Sequence, residues 1–192
     1  MIAILKYNAG NTQSVENAVR RLGYECIVTD DSQLLQSADK VIFPGVGEAA
    51  SAMQYLRAND LDVLIKSLTQ PVLGICLGLQ LMCRHSEEGN TTGLGIFDVD
   101  VKKFPPKDKV PHMGWNTILN SESEILSTIS SDDNVYFVHS YYAELSQYTV
   151  AECDYILPFS AALQKDNFYA VQFHTEKSGV VGEQILTNFL KL

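Results

Sequence analysis

PVLGICLGLQLM (residues 71–82) sets one cysteine, Cys76, between two glycines placed two positions away on either side. The part leading up to the thiol, PVLGIC, is short and apolar and reads as a buried strand. The part leading away, LGLQLMCRH, reads as a helix. A strand that turns straight into a helix at G-x-C-x-G is the thiol form of a nucleophile elbow. Glycine at 74 and 78 removes the Cβ atoms that would crowd so tight a turn. The sulfur then stands clear at the C-terminal edge of a sheet and at a helix N-terminus, where free N–H groups and the dipole favour a thiolate. The N–H of Leu77 would point at an oxyanion formed there. The same residues also fit a buried, inert cysteine beside a glycine-rich strand end.

Outward from the elbow, strand and helix alternate. IAIL (2–5) reads as a buried strand and NAGN as a turn. In TQSVENAVRRLG, Val15, Ala18, Val19 and Leu22 fall at i, i+3, i+4 and i+7, one helix face, closed by Gly23. ECIVTD and KVIFPG (40–45) are two further strands, the latter ended by Pro44-Gly45. LDVLIKSL repeats the helical spacing, with Asp60 as a candidate N-cap. Continuous apolar strands separated by helices imply a parallel sheet covered on both faces. The second half is richer in strands: IFDVDVKKF, NVYFVHSYY, YTVAEC, SAALQKDN and FYAVQFH. FPPKDKVP (104–111) is a proline-rich loop, and SGVVGEQILTNFLKL is a closing helix. The expectation is one α/β domain over residues 1–192. Its central sheet is mostly parallel and flanked by helices, with extra strands in the C-terminal half.

The bulk numbers narrow the function. A chain of 192 residues should bury about 70% of its unfolded surface. The hydrophobic fraction of 46% and charged fraction of 19% are ordinary for a soluble protein. A net charge of −9 argues against nucleic acid, which needs a Lys/Arg-rich face. The apolar runs are too short to span a bilayer, and the opening MIAILKYNAGN lacks the basic segment of a signal peptide. Cys26, Cys76, Cys83 and Cys153 form no CxxC pair, so reduced thiols in a cytoplasm are expected. Cys83 and His85 supply only two of the three or four ligands zinc needs, and no metal is expected.

A nucleophilic thiol needs a base. His85 sits in CRHSEE and reads as a solvated helix end; His112 lies in VPHMGWN, and His139 follows the strand VYFV. His174 ends the strand FYAVQF and has a carboxylate, Glu176, two residues on that can orient the ring. By itself His-x-Glu after a strand is more often a polar loop; with the elbow it completes Cys76, His174 and Glu176. FPGVGEA (43–49) runs a strand through Pro-Gly-Val-Gly into a helix. It is either a plain turn or a loop offering the Val46 N–H to an oxyanion, with the Gly47 backbone on the substrate.

PGVGEA, GICLGLQLM, VPHMGWN, YFVHSYY and VQFHTEKSG together resemble the motifs of class I (triad) glutamine amidotransferases. PHMGWN, FVHSYY and FHTEKS, with the opening YNAGN…SVENAVRRLG, resemble more narrowly the glutaminase subunits of imidazole glycerol phosphate synthases. The likeness runs from residue 2 to the last helix. It implies attack by Cys76 on the carboxamide of L-glutamine, a glutamyl thioester, His174 as acid and base, and Glu176 as its orienter. It implies oxyanion donors at Val46 and Leu77, and Gln80, Glu88, Ser140 and Tyr141 around the substrate. It also implies a heterodimer in which ammonia passes to a cyclase partner built as a (β/α)8 barrel. There, imidazole glycerol phosphate and an aminoimidazole carboxamide ribotide form in histidine biosynthesis, with no cofactor on the glutaminase side. Trp115, Tyr136 and Lys177 match positions near the partner face; Trp115 equally fits a packing residue and Lys177 a solvated charge.

This chain departs from the family pattern at Thr175, where proline is usual, and at Lys6 and Asn8-Ala9 in the opening motif. A β-branched Thr175 is expected to hold an extended backbone and keep the triad. Two other functions fit less well: an amidotransferase serving another synthase, and a non-catalytic regulatory subunit. PHMGWN speaks against the first and the intact triad against the second.

Overall fold

The computed structural model describes residues 1–119 and 122–192. The first four strands, β1 (Ile2–Leu5), β2 (Cys26–Thr29), β3 (Lys40–Phe43) and β4 (Val72–Ile75), alternate with helices α1 (Thr12–Arg21), α2 (Ser32–Ser37), α3 (Ala49–Ala58) and α4 (Leu61–Ser67). α5 (Leu77–Met82) follows β4 directly. Next come β5 (Cys83–Ser86), β6 (Thr91–Thr92), β7 (Phe97–Lys103), β8 (His112–Thr117), β9 (Asn134–His139) and β10 (Tyr141–Ala143). β11 (Thr149–Tyr155), β12 (Leu157–Lys165), β13 (Phe168–Val171) and α6 (Gly179–Lys191) complete the chain.

The main sheet has seven strands in the order β11-β12-β13-β4-β3-β1-β2. From β13 to β2 every pairing is parallel, and β11 and β12 extend it antiparallel. The inner strands read as continuous apolar runs because both faces are buried. Ile2, Ile4, Ile42, Leu73 and Ile75 pack with Val15 and Val19 of α1 and Ile185 and Phe189 of α6. Ala3, Leu5, Val41, Phe43 and Val72 pack on the opposite side with Leu56 of α3 and Leu61 and Ile65 of α4. Two small sheets, β10-β7-β5-β6 and β8-β9, form the rest.

β4 is the middle strand of the seven, and this placement decides where the site lies. β13 pairs with it in parallel, Val171 opposite Ile75. The residues after 75 and after 171 therefore leave the same sheet edge side by side, as ligand sites in open parallel sheets require.

Three expectations need correction. The helix after the elbow stops at Met82, and Cys83, Arg84 and His85 belong to strand β5. The carbonyls of Leu81 and Met82, which a longer helix would use, instead accept the N–H groups of Leu94 (2.7 Å) and Ile96 (2.9 Å). His85 is accordingly a half-buried strand residue whose Nε2 meets Asn90 Oδ1 at 2.9 Å. Asp60 occupies the N-cap position of α4, but at φ 55° its side chain makes no capping bond. Helix α2 and strands β6 and β8 lie outside the elements that the sequence pattern predicts. α2 is started by Asp31, whose carboxylate accepts from Gln33 N (2.8 Å) and Leu34 N (3.0 Å). Among the described residues no helix is long and apolar enough to cross a membrane.

Candidate active site

Cys76 has φ 53° and ψ −105°, a strained backbone for any residue with a Cβ. The strain is held in place from both sides. The Cys76 N–H donates to Val171 O at 2.8 Å, tying the elbow to β13. Gly78 passes so close to β3 that a Cβ there would overlap the Phe43 carbonyl oxygen and stand 3.0 Å from its carbon. A Cβ at Gly74 would lie 3.0 Å from the Gly78 carbonyl carbon and 3.0 Å from Met82 Sδ. The flanking glycines thus answer to the backbones that close on the turn.

His174 lies three residues past the end of β13, not within it. Its N–H donates to Tyr136 O at 2.9 Å, and its carbonyl accepts from Ser178 Oγ at 2.6 Å. Ser178 Oγ in turn accepts from Tyr136 N at 2.9 Å, so β9 holds the loop at two points. Thr175 is not extended as expected: Thr175–Lys177 forms a 3-10 turn. That turn brings Glu176 back behind the imidazole, where Oε1 accepts from His174 Nδ1 at 2.7 Å. Both side chains are fully buried. Asn11 Nδ2 also donates to Glu176 Oε1.

Burial by itself would hold His174 neutral, but interaction with the Cys76 sulfur and the Glu176 carboxylate, by hydrogen bonding first and by charge second, outweighs it and raises the pKa to about 10. In this resting geometry the buried Nε2 makes no formed hydrogen bond, although the sulfur is near enough to favour the protonated ring. Glu176 is itself pulled below the ordinary carboxylate value: burial opposes this, and the His174 hydrogen bond and charge prevail.

A cavity of about 330 Å³ opens over the elbow, at the small end for ligand pockets. Cys76 and His174 both line it, together with Val46, Gly47 and Leu77. Gln80, Glu88, Ser140 and Tyr141 line it as well. The fold therefore brings these sequence-predicted residues together from five separate stretches, with Glu176 behind the ring.

The model of the glutamine amidotransferase class-I family matches residues 3–192. The imidazole glycerol phosphate synthase subunit HisH of Bacteroides thetaiotaomicron is 61% identical, covering 100% of this chain and 99% of its own. The protein of the same name from Escherichia coli K12 is 46% identical over 100% and 99%. Among solved structures, PurLQS from Thermotoga maritima has the same fold, with TM-score 0.74 at 13% identity over 99% and 97% of the two chains. The chain belongs to the class-I glutamine amidotransferase family.

In this class-I amidotransferase the two expected oxyanion donors differ in state. The Leu77 N–H is already engaged, donating to Gly45 O at 3.3 Å. Val46 is half-buried at the cavity wall. The loop is anchored by Tyr7, a buried residue whose hydroxyl donates to Pro44 O at 2.7 Å. Glu88 does more than line the cavity: its Oε2 accepts from Ala49 N at 2.8 Å, joining the pocket to the start of α3.

Reasoning from the sequence missed Pro111, Val138 and His139 on the cavity wall, and Gln172 beneath it. His139 and His112 form a buried pair, His112 Nδ1 to His139 Nε2 at 3.1 Å. His112 is sandwiched between Tyr155 (4.0 Å, 12°) and Phe137 (4.8 Å, 22°). Burial lowers the pKa of His112 to about 4. In His139 burial is again the main cause, assisted by its histidine neighbours and opposed by the Tyr141 carbonyl, and the pKa falls to about 3.

Of the three residues expected near a partner, Trp115 and Tyr136 are neighbours on paired strands. Trp115 is 57% exposed on β8, opposite Tyr136 of β9, their rings 5.8 Å apart. Met113, also 57% exposed, points the same way two residues earlier on β8. Lys177 is exposed on the turn that carries Glu176.

Proposed function

We propose that this chain is the cytoplasmic glutaminase subunit of an imidazole glycerol phosphate synthase, residues 1–192 acting as one amidotransferase domain. The observation that carries the reading is the meeting of Cys76 and His174 on one small cavity, with Glu176 bonded to the far side of the ring. The thiolate of Cys76 adds to the carboxamide carbon of glutamine, and the carbonyl oxygen takes up the negative charge. His174, its charged form favoured, gives a proton to the nitrogen; the C–N bond breaks and ammonia leaves. The neutral imidazole then takes a proton from water as it adds to the thioester, and breakage of the C–S bond releases glutamate. Glu176 keeps the ring's Nδ1 protonated throughout, which leaves Nε2 to do the transfer.

Val46 and Leu77 would hold the oxyanion through their N–H groups. For Leu77 to do so, the Gly45 carbonyl that it now binds must turn away. Gln80, Glu88, Ser140 and Tyr141 would hold the amino-acid end of glutamine.

The full-length 61% identity to a protein of that name supports the choice of acceptor. The partner would be a cyclase of (β/α)8-barrel form, docked on Trp115, Tyr136 and Lys177. The pair would form a heterodimer that carries ammonia between sites before water can protonate it. The product would be imidazole glycerol phosphate, with aminoimidazole carboxamide ribotide, on the route to histidine.

The test is ammonia release from glutamine by the wild type and by Cys76→Ala, each with and without the cyclase and its nucleotide. Strong stimulation by the cyclase, complete loss in Cys76→Ala and rescue of synthesis by added ammonium are expected. Glutamine turnover in Cys76→Ala would refute the nucleophile; stimulation only by a different synthase would refute the acceptor.

A further inference from the structure

A buried series of hydrogen bonds runs from β8 to the elbow, and each bond can point only one way. The Tyr141 carbonyl oxygen, an obligate acceptor, lies 2.7 Å from His139 Nδ1 and 3.0 Å from Gln80 Nε2. His139 must therefore carry its proton on Nδ1, and the Nε2 of the neutral ring accepts from His112 Nδ1. Gln80 must likewise present its amide NH2 to Tyr141. The same Nε2 reaches Gln172 Oε1 at 3.0 Å. That fixes the orientation of the Gln172 carboxamide: oxygen toward Gln80, NH2 toward the elbow, with Nε2 3.6 Å from Cys76 Sγ. Gln172 is 0% exposed and sits one residue past β13, beside Cys76 across the β13–β4 pair. Its main-chain N–H is bonded to Ala161 O at 2.8 Å, so backbone and side chain are both held.

We propose that Gln172 is a positioning residue for the nucleophile, its side-chain N–H donating to the Cys76 sulfur and holding the negative charge in place before glutamine arrives. The proposal rests on Cys76 being the attacking group. A carboxamide suits the task because it donates at one end and is anchored at the other without adding a charge. Gln80 then does double service, lining the cavity and setting the orientation of the donor beneath it.

The experiment follows alkylation of Cys76 by iodoacetamide against pH in the full-length chain, read by mass spectrometry on the Cys76 peptide. Gln172→Met keeps the bulk and removes the donor. Its profile should move toward higher pH, with alkylation at pH 7 slower by roughly tenfold, the usual worth of one hydrogen bond to an ion. Gln172→Glu places a carboxylate against the sulfur and should move the profile further. In the cyclase complex kcat for glutamine should fall with the same pH dependence, while KM stays within about twofold.

A Gln172→Met protein that melts like the wild type and gives a superimposable profile would overturn the proposal. If neither variant folds, the wild-type protein decides. The side-chain amide resonances of Gln172 should shift with pH over the range in which Cys76 becomes reactive, and Cys76→Ala should abolish that shift; unmoved resonances would overturn the proposal. The two readings fail separately. Glutamine turnover in Cys76→Ala would sink the nucleophile, whereas superimposable alkylation profiles would sink Gln172 alone.

Discussion

Gly78→Ala should damage the elbow through a neighbour, not through the sulfur. The added Cβ would stand 3.0 Å from the Phe43 carbonyl carbon and overlap its oxygen. Carbon atoms rest about 3.5–4.0 Å apart, so α5 and β3 must separate by roughly 0.5–1 Å on the carbon contact alone. Neither can yield cheaply: Phe43 is fully buried and paired to β4, and every residue of α5 is buried. Overpacking of this kind costs about 1–3 kcal/mol, which for a chain of this size lowers Tm by roughly 2–12 °C. The activity effect should be larger in proportion, because Leu77 and Cys76 move with Gly78, and about 1 Å of misplacement at a reacting group costs on the order of 100-fold. The assay pairs thermal unfolding with glutamine hydrolysis in the cyclase complex. Gly74→Ala, whose Cβ meets neighbours at 3.0–3.1 Å with no overlap, serves as the milder comparison. A Gly78→Ala protein with wild-type Tm and turnover would refute the steric account of the motif.

Other consequences follow from the surroundings of the site. His112 and His139 have folded pKa values near 4 and 3, below the unfolded value of about 6.5, so their contribution is full above pH 6.5 and is lost as pH falls through 4 for His112 and through 3 for His139. The slope should reach at most about 2.7 kcal/mol per pH unit for the two rings together; a Tm that stays flat between pH 7 and 5 would contradict it. His174 acts in the opposite sense, since its raised pKa makes it a stabiliser that fades only as pH rises toward 10. Asn11→Ala removes a donor from Glu176 Oε1, whose companion Oε2 is buried without a partner, and should lower kcat by roughly tenfold with KM little changed; an unaltered kcat would show that Asn11 does not hold the triad. If the proposed cyclase docks on Trp115, Trp115→Ala should weaken its binding by about 2 kcal/mol, as aromatic anchors do, while Tm of the free chain stays nearly constant; calorimetric titration giving unchanged affinity would remove Trp115 from the proposed interface.

The parts of the molecule that were legible share one property: a local pattern that tertiary packing reinforces. The i, i+3, i+4, i+7 spacing of Val15, Ala18, Val19 and Leu22 predicts α1, and the same residues face the core. G-x-C-x-G predicts the turn because only a close approach of backbones makes two glycines worth having there. The cap at Asp31 is equally local, an Asp before the first helical residue in TDDSQLL. β5 was not legible at all. LGLQLMCRH has helical composition, and the strand exists because β6 and β7 pair with it while residues 94 and 96 take the carbonyls of α5, contacts no window around Cys83 contains.

Chemistry-bearing residues divide along the same line. Cys76, His174 and Glu176 announce themselves because thiols, imidazoles and carboxylates in motifs invite a role. Gln172 is uncharged and lies beside an apolar strand, where a sequence reading sees sheet and nothing more; Tyr141 is named by its motif as a pocket residue, but the role of its carbonyl is not. Their importance comes from burial, which forces every donor and acceptor to find a partner. One fixed acceptor, the Tyr141 carbonyl, then orients His139 and, through Gln80, the Gln172 amide. A site of this sort has a reactive shell readable from residue type and a supporting shell readable only from geometry. Substitutions at Gln172 and Asn11, which do not line the cavity, should move pH profiles and kcat while leaving substrate affinity nearly alone, because these two groups act on the sulfur and on the carboxylate behind the ring and not on the glutamine.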